Sequence, residues 1–140
     1  MKFSRTTLIT ALALALSLGC VNPNLRILDS DQSQVQLRQI QSRVFDTKDR
    51  ETTLRTVIQT LQDLSFVVDK ANMDLGTVSG TKLDGYALRM TVTAMPRGSK
   101  QIVVRANAQY NIEPVTDPEP YQSFFAALER AMFLTAQQVD

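Results

Sequence analysis

The chain has 140 residues, with 15 basic and 14 acidic side chains, one cysteine and no histidine or tryptophan. A net charge of +1 offers no electrostatic footprint for nucleic acid. The missing imidazole removes Ser-His-Asp and Cys-His nucleophile systems, Cys/His zinc sites and histidine general bases. Carboxylate-pair chemistry stays open in principle, but no pairing is legible among Asp46, Asp63 and Asp69, so a non-enzymatic protein without metal or cofactor is expected.

Lys2 and Arg5 precede an uncharged run from Leu8 to Leu18. That layout is a signal peptide, and the run is shorter than the roughly 20 residues a membrane-spanning helix needs. The stretch Leu16-Ser17-Leu18-Gly19-Cys20 resembles the lipobox of bacterial lipoproteins: Gly19 and Cys20 match it, and Ser17 stands where that family usually has Leu. The resemblance implies cleavage between Gly19 and Cys20, diacylglycerol on the Cys20 sulfur and often a further palmitate-type chain on the new amino group. Ordinary secretion is the alternative, because Ala11-Leu12-Ala13 and Ala13-Leu14-Ala15 also fit small-x-small cleavage. A lone cysteine directly after the leader fits a disulfide protein poorly. Val21 occupies the position where Asp resembles an inner-membrane retention signal. This implies the outer membrane facing the periplasm, the alternatives being the outer leaflet of the inner membrane or secretion.

Without residues 1–19 the chain carries 13 basic and 14 acidic side chains, the size and charge of one neutral domain plus a tether. Residues 20–34 read as lipid anchor and tether, reaching about 20 Å as a coil, although Leu25, Ile27 and Leu28 could dock on the domain or a neighbour. Residues 35–140 form the single domain. Val35, Leu37, Ile40, Val44 and Phe45 predict a strand with a bulge near 39–41. Asp46-Thr47 offers N-cap chemistry for an amphipathic helix over 48–64, with Asp49 and Glu51 in its first turn and a buried stripe of Leu54, Val57, Ile58, Leu61 and Leu64. After the apolar run Phe66–Val68, Ala71–Asp74 reads as a turn and Leu75–Lys82 as a strand, in which Gly76 and Gly80 mark a bulge or a close backbone approach.

Alternation is strict from Tyr86 to Ala94 and from Ile102 to Ile112, and Pro96-Arg97-Gly98-Ser99 between them predicts an antiparallel hairpin. Asp117-Pro118 opens a last helix, whose core face runs through Tyr121, Phe124, Phe125, Leu128, Met132 and Thr135, broadened by Ala131 and Leu134. The expected class is α+β: β-α-β-β-β-α, an antiparallel sheet with two helices packed on one face.

Arg43-Val44-Phe45-Asp46-Thr47, Leu61-Gln62-Asp63-Leu64-Ser65-Phe66-Val67-Val68-Asp69 and Leu75-Gly76 resemble a group of small outer-membrane lipoproteins of uncharacterised function. Ser65 stands where that group has Gly at the helix end. The Tyr121-Gln122-Ser123-Phe124-Phe125 stretch is similar to that group as well. The element order is more distantly similar to the helix-grip domains of an outer-membrane assembly lipoprotein, in architecture alone. The expected role is an accessory or scaffold of an envelope complex, held to membrane lipid through acylated Cys20. Its partner would meet the polar sheet face of Arg89, Thr91, Thr93, Arg105, Asn107 and Gln109, which as an antiparallel sheet face can also simply be wet. The alternative is a small-ligand-binding periplasmic lipoprotein with a cavity near Met90, Tyr110 and Phe125.

Overall fold

A computed structural model describes residues 34–137. Gly19, Cys20 and the tether up to residue 33, with Leu25, Ile27 and Leu28, lie outside the described residues. The elements are α1 (34–40), β1 (Ser42–Phe45), α2 (Arg50–Asp63), β2 (Val67–Asn72), β3 (Thr77–Asp84), β4 (Tyr86–Arg97), β5 (Gln101–Tyr110), β6 (Glu113–Pro114) and α3 (Glu119–Gln137). The strands form one antiparallel sheet ordered β1-β5-β4-β3-β2, with β6 also paired to β5. The expected α+β class, with helices packed against an antiparallel sheet, is what the chain adopts.

Three elements differ from expectation, the smallest being the unexpected two-residue strand β6. Residues 34–40 are helical, and the strand is only Ser42–Phe45. The alternation of Val35 and Leu37 is incidental: Leu37 and Ile40 stand three apart, the spacing of one helix face, and both pack against the core while Val35 stays exposed. The second difference is a whole strand, β2, which takes in the expected turn residues Ala71 and Asn72. Its pairing with β3 slips between Val68 and Lys70, and this bulge breaks the period-two pattern a strand reading depends on. The bulge therefore lies in β2 rather than at residues 39–41. On an edge strand it also discourages pairing with a further chain.

Helix α2 begins at Asp49 rather than at Asp46-Thr47. The Asp49 carboxylate accepts the Thr52 amide at 2.9 Å and the Thr52 hydroxyl at 2.6 Å. Those two bonds, the hydroxyl first, hold the Asp49 carboxyl below its ordinary pKa. The buried face holds the expected stripe and is broader than it on one side. Thr53, Thr56 and Thr60 are buried beside Leu54, Val57 and Leu61, whereas Ile58 and Leu64 are only partly covered. Each of these threonine hydroxyls donates to the carbonyl four residues back, at 2.7–2.9 Å, so the polar groups enter the core already satisfied. At the other end Phe66 N–H reaches the Leu61 carbonyl and Ser65 N–H the Gln62 carbonyl, a Schellman cap that places Ser65 at φ 67°.

Gly76 lies in the turn before β3, at φ 71°; its carbonyl accepts from Ala94 N–H, and a Cβ there would sit 2.6 Å from the Ala94 oxygen. A Cβ on Gly80 would meet Phe66 Cβ and the Val67 carbonyl at 3.2 Å. Both glycines therefore mark close approach, and Gly80, paired with Val68, also stands opposite the start of the bulge.

The β4–β5 register alternates faces. Met90/Ala108, Val92/Ala106 and Ala94/Val104 point inward, under the helices; Arg89/Gln109, Thr91/Asn107 and Thr93/Arg105 point outward. The core joins these inward residues to Leu54, Val57 and Leu61 of α2 and to Tyr121, Phe124, Phe125 and Leu128 of α3. Before α3, the Asp117 carboxylate accepts the Glu119 amide at 3.0 Å. Met132 is partly buried as expected, but Leu134 is exposed: by that turn α3 has little of the core left to cover.

Candidate functional site

Three places were singled out by sequence: the outward sheet face, a cavity near Met90, Tyr110 and Phe125, and the carboxylates Asp46, Asp63 and Asp69. The strand register assembles the first. Across the middle of the outer face Ser79, Thr91 and Asn107 line up as neighbours, with Ser79 and Thr91 hydroxyls 3.1 Å apart. Thr93 and Arg105 form the next row toward the hairpin, and Thr81, Arg89 and Gln109 the next away from it. Arg89, Arg105 and Asn107 are exposed, and Thr91 and Gln109 half-buried. Neither guanidinium has an ion pair or hydrogen bond among the described residues. Four residues along a strand separate their rows, roughly 13 Å at strand rise, so one flat partner surface can meet both. Beyond Arg105 the face turns apolar, because Val44, Val103 and Met95 stand side by side.

The second place divides. Met90 and Phe125 belong to the closed core, while Tyr110 is exposed and lines a groove of ≈ 290 Å³ at the end of the helix–sheet layer. Leu64, Phe66 and Leu88 give that groove an apolar floor, and Lys82, Glu119 and Ser123 its polar rim. Ser123 donates to the Glu119 carboxylate at 3.0 Å.

The carboxylates do not converge. Asp46 follows the edge strand β1 and accepts from the Gln101 amide at 2.7 Å; Asp69 lies on β2 at the opposite edge, bonded to Thr81; Asp63 ends α2. Among the described residues no cluster of three acidic, cysteine or histidine side chains is placed to hold a metal ion.

The stretches that carry the lipoprotein resemblance serve the fold. Arg43 lies 5.1 Å from the Phe125 ring centroid and 3.6 Å from Glu129, and donates to the Gln39 and Ser42 carbonyls, so it fastens β1 to α3. The Thr47 hydroxyl accepts from Asp49 N–H, leading the chain into its helix cap. Tyr121 was read from sequence only as part of an apolar stripe. Its buried hydroxyl accepts from Gln41 Nε2 and Ala108 N–H, both at 3.2 Å, and donates to the Val115 carbonyl at 2.8 Å.

No family model matches the chain, and no curated protein matches it in sequence.

Proposed function

We propose that this chain is a lipoprotein anchored through acylated Cys20 at the outer membrane and facing the periplasm, where its domain is a non-enzymatic accessory or scaffold of an envelope complex. The observation that supports the partner role is the outer sheet face, on which, among the described residues, no element packs and two guanidiniums have no partner. A free cation is already hydrated, so it gains most from a partner that offers acidic or carbonyl oxygens in a fixed place. Thr91, Asn107 and Gln109 between the arginines supply hydrogen-bonding groups that fix register.

A photoreactive residue at Asn107, introduced into the full chain in cells, is expected to give a discrete heavier adduct that Arg89→Ala with Arg105→Ala removes. A monomer band alone under every growth condition overturns the partner role. Fatty-acid labelling of wild type but not of Cys20→Ala tests the anchor separately, and an unlabelled wild type overturns it. The groove around Tyr110 favours a second reading, a small-ligand carrier. On that reading native mass spectrometry of the delipidated protein shows a copurified ligand that Leu88→Trp displaces.

A further inference from the structure

We infer that the end of the domain bearing Leu83, Tyr86, Tyr110 and Ile112 rests on the lipid bilayer that holds the chain. This rests on the lipid-anchor reading. The residues come from two neighbouring turns, β3–β4 and β5–β6. The turns are tied together, because Asn111 N–H donates to the Ala87 carbonyl at 3.0 Å and the Tyr86 and Tyr110 rings meet edge-on at 6.3 Å. Ile112 is 88 % and Leu83 83 % exposed, the highest among the large apolar side chains of the described residues, and Tyr86 beside them is 71 % exposed; Val67, Leu75, Phe133 and Leu134 are exposed elsewhere. Two aliphatic tips beside two phenols match the boundary between headgroups and hydrocarbon: the aliphatic groups leave water and the hydroxyls stay among polar headgroups.

The course of the chain points to a bilayer as the occupant. Followed back from Phe45 to Gln41, the chain runs alongside β5 from Ile102 to Ala106, so α1 enters from the side of the sheet on which β5 ends at Tyr110, the side of the two turns. Cys20 lies 14 positions before Gln34, so only a short run of chain separates the anchor from the described domain. An anchor there keeps this end close to lipid at an effective concentration in the millimolar range, at which weak apolar contacts are occupied. The opposite end carries the β4–β5 turn with Arg97 and Lys100. It also carries the last turns of α3, where Phe133 is 64 % exposed, about 21 Å along the helix from Glu119.

The chain contains no tryptophan, so a single introduced indole reports its own surroundings. Full-length acylated Leu83→Trp, Ile112→Trp and Phe133→Trp proteins are reconstituted in phosphatidylethanolamine–phosphatidylglycerol vesicles with brominated acyl chains. All three positions are exposed, and thermal melts matching wild type verify that each variant folds. Quenching several-fold stronger at positions 83 and 112 than at 133 is expected. Equal or weaker quenching at 83 and 112 overturns the contact. A blue shift at 112 that grows with protein density and is insensitive to brominated lipid also overturns it, and assigns the tip to a second copy of the chain. Intact mass of the same samples reads the anchor independently. If acyl groups are missing, the anchor reading falls, and the contact is measured with the sole thiol, Cys20, coupled to a maleimide lipid, under the same criterion.

Discussion

At the scale of single residues the Tyr121 hydroxyl joins four parts of the chain: the α1–β1 junction through Gln41, β5 through Ala108, the connector through Val115, and α3 itself. Tyr121→Phe keeps the ring and strips the oxygen, leaving a buried N–H and a buried carbonyl without that partner. A loss of about 2 kcal/mol in urea unfolding is expected. Ser65 and Gly76 give opposite signs. Ser65 occupies left-handed backbone that disfavours a side chain, so Ser65→Gly is expected to raise stability by about 1 kcal/mol. Gly76→Ala adds a Cβ at 2.6 Å from a carbonyl oxygen in the same left-handed region and is expected to lower it by about 2 kcal/mol or more. None of the Tyr121 bonds was legible in sequence, since Gln41 is 80 positions away and a tyrosine in an apolar stripe looks like any other core ring. The close approach at Gly76 was legible as one of two readings of a glycine in a strand, whereas its left-handed φ in the preceding turn was not.

Among elements, α3 and the β4–β5 hairpin were readable because burial on one face imposes a strict period over ten or more residues. The mistaken elements are the short ones at the margin. In α1 two apolar residues match a strand or a helix equally well, and in β2 the bulge removes the alternation. Even in α2, where Leu54, Val57 and Leu61 are buried as expected, the breadth of the buried face was not legible, because three threonines satisfy themselves and so pass as apolar. The cap of α2 has a sign that can be checked by pH. The folded state holds the Asp49 carboxyl below its ordinary pKa, so the unfolded chain takes up its proton first on acidification. The cap's contribution is complete above the ordinary aspartate pKa and is lost as pH falls through the lowered one. Asp49→Ala is therefore expected to cost about 1 kcal/mol at neutral pH, and much less at a pH where the carboxyl is protonated in both states, as read from urea midpoints.

For the molecule as a whole, the division between a helix-covered face and an open face of the sheet was legible from alternation alone, as was the polarity of each. The apolar tip was not, because Leu83 and Tyr86 lie 24 or more positions before Tyr110 and Ile112 and the two turns come together only through the strand pairing. Arg89→Ala and Arg105→Ala touch no described partner and are expected to shift stability by less than about 0.5 kcal/mol while abolishing the crosslink at position 107. A large loss of stability from either would make that face structural. The strand order carries one more consequence. Ser42 of β1 pairs with Arg105, 63 positions later, and Arg43 is held by Phe125 and Glu129 of α3. On a chain delivered amino terminus first, the earliest strand has no place to settle until nearly everything else has arrived. Closing so long a loop is slow. Such a chain completes itself late: its first strand waits open, and the edge of the sheet locks only when the last helix has docked.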